Sequence, residues 1–193
     1  MEKLGAAQFA LSGTVDRLRE FVRDGDGSAA FVPDAAAAPV AHSASPAHVF
    51  TAVTLAATDP ANPFGGVLPW PTPPAKARPG RKAGALVVMV DGHAALYVER
   101  GGRTVISWLD DLAHYLNATS GAALTGASEA DVRSALTSAV AVSLVEALRR
   151  ARSQVITIQK VNGADILGTD LAAALVDAGF SSLPSGVRFR PDF

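Results

Sequence analysis

Three β-prone runs, residues 85–90, 94–99 and 104–108, follow one another with only Asp91-Gly92 and Gly101-Gly102 as punctuation. Dipeptides of this kind accept positive φ and reverse a chain in step with the twist of paired strands. The spacing predicts a three-stranded antiparallel meander. A sheet built this way has to bury a face, so what flanks it must supply the cover.

That cover is predicted to be helical. Ser128 and Asp131 have capping-box spacing, with Asp in place of the usual Glu, and Val132, Leu136, Val140, Leu144 and Leu148 trace one stripe behind them. A long helix starting at Ser128 should pack along the sheet. Arg149, Arg150 and Arg152 near its end suit the negative pole of the helix dipole and compete there with a nucleic-acid role. Leu109, Leu112, Ala113 and Leu116 mark a shorter helix over 108–116, and residues 169–178 read as a capped helix ending at Gly179. Further strands are expected over 49–57, with Phe50, Val53 and Leu55 for burial, over 155–161 before an Asn162-Gly163 turn, and over 187–190. Residues 59–79, dense in Pro and Gly, must be mostly loop.

Upstream, Leu11, Val15, Leu18 and Val22 recur at helical spacing behind Thr14, and the Asp24-Gly25-Asp26-Gly27 turn ends that run. Residues 28–47 are Ala, Pro and Ser with few large apolar groups, the composition of a linker. The organisation expected is a flank (1–27), a flexible linker (28–47) and an α+β domain (48–193). The domain's core is a small, mostly antiparallel β-barrel or strongly curved sheet with packed helices.

Composition narrows the chemistry. There is no cysteine, so disulfides and Cys-based zinc sites are excluded and a reducing compartment is suitable. His42, His48, His93 and His114 show no metal-ligand spacing, and no metal is expected. No stretch approaches the roughly 20 apolar residues of a membrane span, and residues 1–23 are charged and amphipathic rather than signal-like. The expectation is a cytoplasmic protein with no membrane partner. The formal net charge of −1 does not mark a polyanion binder, but the local pattern differs: Lys76, Arg78, Arg81, Lys82, Arg100 and Arg103 face only Asp91 and Glu99 between residues 76 and 103. Such a stripe is either a solvated charge run or a phosphate-facing edge.

One run is too peculiar to be compositional: Leu55-Ala-Ala-Thr-Asp-Pro-Ala-Asn-Pro-Phe-Gly-Gly-Val-Leu-Pro-Trp-Pro71. With Arg78-Pro-Gly-Arg-Lys-Ala-Gly-Ala-Leu-Val-Val-Met-Val-Asp-Gly92, Leu96-Tyr-Val-Glu-Arg-Gly-Gly-Arg-Thr104, residues 171–180 and Gln8-Phe-Ala-Leu-Ser-Gly-Thr-Val-Asp-Arg17, it resembles the large helicase-related (Lhr-type) proteins of bacteria. The resemblance covers most of the chain except 28–47 and parts of 109–153. It implies an ATP-dependent DNA helicase whose motor and first winged-helix domain precede a C-terminal extension of further winged-helix modules and a β-barrel. On this resemblance the chain would be the final barrel region, with residues 1–27 either finishing a winged-helix module or joining the barrel. The chain departs from the parent in having no G-x-x-x-x-G-K-[ST] loop and no acidic motor motif. ATP and Mg²⁺ therefore belong to the parent motor, and no cofactor is expected here.

The implied function is an accessory DNA-binding and docking module of a helicase acting in DNA repair, partnered by DNA and by the parent's motor and winged-helix modules. One alternative follows from the likeness of Lhr-type extensions to bacterial DNA glycosylases built from winged-helix modules and a barrel. Base excision needs a flipped base and a carboxylate to position water. Asp59, in a stiff Pro-rich loop, and Asp192, beyond Arg188 and Arg190, are the candidates; turn capping and a frayed terminus are their plainer roles. A second alternative is a homo-oligomerisation module. For DNA contact the candidates are Lys76, Arg78, Arg81, Lys82, Arg100 and Arg103, with Trp70 for base stacking and Asn62, along with Gln159, for a base edge. The competing roles are a core plug for Trp70 and local backbone capping for Asn62.

Overall fold

A computed structural model of the chain describes residues 50–74, 76–119, 128–151 and 155–191. The expectations for residues 1–27 and 28–47, and for Asp192, lie outside the described residues.

The predicted meander forms. β1 (Ala52–Ala56), β2 (Leu86–Val90), β3 (His93–Val98) and β4 (Thr104–Ser107) pair antiparallel in sequence order. The β2–β3 reversal places Asp91 and Gly92 at φ 46° and 84°, the left-handed conformations that this dipeptide tolerates best. The sheet continues from β4 to β6 (Lys160–Val161), which runs parallel to it, and then to β7 (Ala164–Asp165) through a turn at Asn162-Gly163. Among the described residues the strand order is β1-β2-β3-β4-β6-β7, so the sheet is open, with β1 and β7 at its edges. Of the two forms expected, the sheet is the open one and not a closed barrel. Closure is not needed to remove apolar surface from water, because helices cover one face and a long loop covers the other.

A bulge in β3 helps to define those faces. Val88 pairs with Leu96 but Met89 pairs with Ala94, leaving Ala95 as an extra residue. Ala95 and Leu96 consequently join the same core, with Val88, Val98 and Val105, while Ala94, Tyr97 and Ile106 point into a second, smaller one. The bulged Ala95 offers its carbonyl to the Trp108 N–H at 2.9 Å, which fixes the start of the next helix.

On the larger core lie α1 (Leu109–Thr119), α2 (Glu129–Arg150) and α3 (Asp170–Ala178). The α2 stripe Val132, Leu136, Val140, Leu144 and Leu148 is buried throughout. Each such side chain contributes about 1.5–3 kcal/mol on burial. α2 packs on β1 and β2 and contacts both other helices. The capping box is present: the Ser128 hydroxyl accepts from the Asp131 N–H and the Asp131 carboxylate accepts from the Ser128 N–H. Val53, expected in the core with Phe50, is instead 44% exposed on edge strand β1.

The strand expected over 155–161 is divided between two sheets. β5 (Ile156–Ile158) pairs with β9 (Gly186–Phe189), which also pairs with β8 (Ser181–Leu183), whereas β6 belongs to the large sheet. At the switch, the Arg103 carbonyl accepts from both Gln159 and Lys160 N–H groups. Gly186, at φ 139°, lies so close that a Cβ would collide with the Ile158 carbonyl oxygen.

Candidate nucleic-acid interface

The motif-rich loop from residue 57 to residue 85 crosses the sheet face opposite the helices and is held by a small set of polar side chains. Its two ends meet where the Ala57 N–H donates to the Ala85 carbonyl at 2.8 Å. Asn62 is 2% exposed; its Nδ2 donates to the Ala57 carbonyl at 2.9 Å and its Oδ1 accepts from the Phe64 N–H at 3.0 Å. Arg81 approaches the same loop with both terminal nitrogens of its guanidinium. Nη1 donates to the Asn62 carbonyl at 2.6 Å and Nη2 to the Asp59 and Thr58 carbonyls at 2.9 and 3.1 Å. Arg81 is thus a loop clamp, using the planar fork that a lysine lacks.

Beneath the loop, Phe64 and Trp70 stack with centroids 5.6 Å apart, and Trp70 meets Tyr97 edge-on at 5.3 Å. Tyr97 donates to the Gly80 carbonyl at 3.0 Å, and Trp108 Nε1 donates to the Thr72 carbonyl at 2.9 Å. Burial pushes the Tyr97 phenol above its usual value of 10.0, and the nearby negative charge of Glu99 adds to the rise. Gly65, at φ 73°, sits where a Cβ would strike Trp70 Nε1. Asp59 is half-buried, and its carboxylate accepts from the Ala61 N–H at 2.8 Å, an Asx-type turn. Trp70 is half-buried in the smaller core, as part of its aromatic packing.

The other cations are placed outward. Lys76, Arg78 and Lys82 are exposed, and Lys82 Nζ reaches the Arg78 carbonyl at 3.3 Å. Arg100 is distant in sequence from Lys82, but a Cβ on Gly84 would lie 3.3 Å from Arg100 Cγ, so the β3–β4 turn brings this cation against the end of the basic segment. Arg103 is exposed, with Nε donating to Gln159 Oε1 at 2.6 Å. The structure therefore brings Arg78, Lys82 and Arg100 together at one margin of the loop, with Lys76 exposed two residues upstream of Arg78 in the chain, and separates Arg81 and Asn62 from them as internal members.

Sequence reasoning did not find a cleft of about 460 Å³ beside this loop, lined by Phe64, Thr72, His93, Trp108, Asp111 and Tyr115. Its residues come from the loop, from β3, from Trp108 and from α1; Trp108, Asp111 and Tyr115 share a helical spacing, but no spacing in the chain links them to Phe64, Thr72 and His93. Among the described residues there is no group of His, Asp and Glu that could hold a metal ion, and no helix long and apolar enough to cross a membrane.

No family model matches the chain. It is 36% identical, over 98% of its length, to a Mycolicibacterium smegmatis protein named Lhr helicase/probable uracil glycosylase, of which it covers 10%. It is 33% identical, over 97% of its length, to an Escherichia coli K12 protein named Lhr helicase/uracil glycosylase, again covering 10%. The chain spans about a tenth of the length of these curated relatives.

Proposed function

The chain is related along nearly its whole length to one segment of the Lhr-type proteins, and from that premise we propose that it is a C-terminal accessory module that grips DNA for an ATP-dependent helicase acting in DNA repair. The observation that carries this reading is the basic margin: Lys76, Arg78 and Lys82 project from a loop braced on the sheet, with Arg100 brought alongside. Cations held on a stiff scaffold displace counterions from the phosphate backbone with little ordering cost of their own. The motor and winged-helix modules of the parent are the remaining partners, and ATP and Mg²⁺ act in the motor.

Salt-dependent binding to single- and double-stranded DNA tests the reading, comparing the 193-residue chain with a K76Q/R78Q/K82Q variant. Arg81 is left in place because its loss would disturb the loop. The logarithmic salt slope should become shallower by about 0.7–0.9 per phosphate contact removed. No binding by the unaltered chain at low salt would eliminate it.

A second reading, a glycosylase module acting on a deaminated base, is favoured by the aromatic cleft beside the loop and by the names of the relatives. Asp192 and Asp59 are its candidate carboxylates. On this reading Asp192→Asn or Asp59→Asn abolishes release of uracil from single-stranded DNA, and excision unaffected by both substitutions removes these two roles.

A further inference from the structure

The tip of the braced loop is apolar. Val67 is 88% exposed and Leu68 47%, and Pro69 follows. Isolated apolar residues on a surface are ordinary, but these are consecutive and their backbone is fixed. The Val67 and Leu68 N–H groups both donate to the Pro63 carbonyl, at 3.1 and 2.9 Å, and the Gly65 N–H donates to the Leu68 carbonyl at 2.7 Å. Phe64 and Leu68 form a β-bridge. Directly below, a Cβ on Gly66 would lie 3.7 Å from Arg81 Nη1, so the guanidinium that clamps the loop also sits under its tip. Trp70 Nε1 is buried against Gly65 and meets no hydrogen-bond partner among the described residues.

A rigid apolar projection on the same loop as exposed cations has the chemistry of a wedge. Charge complementarity with Lys76, Arg78 and Lys82 selects a polyanion over an apolar protein groove, and small aliphatic side chains followed by proline suit entry between bases that stack poorly. On the DNA-binding reading above, we propose that Val67 and Leu68 insert at a single-strand to duplex junction of DNA and unstack the terminal base step. The cations hold the backbone while the tip displaces a neighbouring base. Arg81 is a positioning residue in this device, acting through the loop carbonyls.

The test is a junction DNA with 2-aminopurine as the terminal paired base, titrated with the 193-residue chain, with V67S/L68S, and with V67S alone. Both side chains are exposed, and melting curves check that the variants fold. The unaltered chain should raise 2-aminopurine emission severalfold. V67S/L68S should lose most of that rise while keeping its affinity within about threefold and its salt slope, and V67S should fall between the two. Binding by the unaltered chain without an emission change, or an equal rise with V67S/L68S, would overturn the wedge and leave the electrostatic grip standing. Absence of binding by the unaltered chain would remove the grip and the wedge together.

Discussion

The Tyr97 hydroxyl donates to the Gly80 carbonyl at 3.0 Å, tying the centre of the sheet to the segment that carries Lys76, Arg78 and Lys82. Tyr97→Phe keeps the packing against Trp70 and removes this tie, at a cost of about 1 kcal/mol. The phenol's raised pKa gives a second signature. The fold favours the protonated form, so its contribution is complete below the ordinary value of 10.0 and is lost as pH rises through the higher folded value. Melting temperature against pH should show an alkaline loss that is smaller in the Phe variant.

Arg81 donates to the carbonyls of Thr58, Asp59 and Asn62, and a single ammonium cannot replace a fork that reaches all three. Arg81→Lys should destabilise the protein by about 0.5–1.5 kcal/mol, the net worth of a hydrogen bond among these half-buried carbonyls. Urea unfolding measures the cost, and increased hydrogen exchange confined to residues around 58–68 would locate it. Unchanged exchange there would show that the loop does not depend on the clamp.

The capping box of α2 predicts an acid-sensitive helix start. The Ser128 hydroxyl, followed by its backbone N–H, holds the Asp131 carboxyl below its usual value of 3.8. A lowered folded pKa means that the stabilisation is present above 3.8 and is lost as pH falls through the folded value. Ser128→Ala should lower stability at neutral pH by about 0.5–2 kcal/mol and flatten this acid response, read by circular dichroism at 222 nm.

Gly186→Ala places a Cβ against the Ile158 carbonyl oxygen at a φ of 139°. Either β9 must shift away from β5 or the backbone must distort, at a cost of about 1–3 kcal/mol. Chemical unfolding should show the loss, and a variant as stable as the parent would mean that the strands separate there without penalty.

What was legible in the sequence is what local pattern determines. The Asp91-Gly92 and Gly101-Gly102 turns, the Ser128 cap and the Val132-to-Leu148 stripe each appear where periodicity and turn chemistry place them. The division of residues 155–161 between two sheets was not legible, because the switch at Gln159 is made by the Arg103 carbonyl and by Gly186, both distant in sequence. β8 was hidden for a similar reason: Ser181-Ser182-Leu183 has the composition of a loop and becomes a strand by pairing with β9. In the candidate interface, Arg81 and Lys82 are adjacent members of one charge run, yet the first is a clamp and the second is exposed. Only the three-dimensional path of the Asp59–Phe64 carbonyls distinguishes them.

The clamp has a consequence for variation. Arg81 recognises main-chain oxygens, which every amino acid carries, and so it imposes no identity on the outward side chains of the loop it holds. Residues at the tip are free to diverge while the scaffold beneath them stays the same. A protein built this way can retune what it touches by single substitutions at positions 67 and 68 without renegotiating its fold.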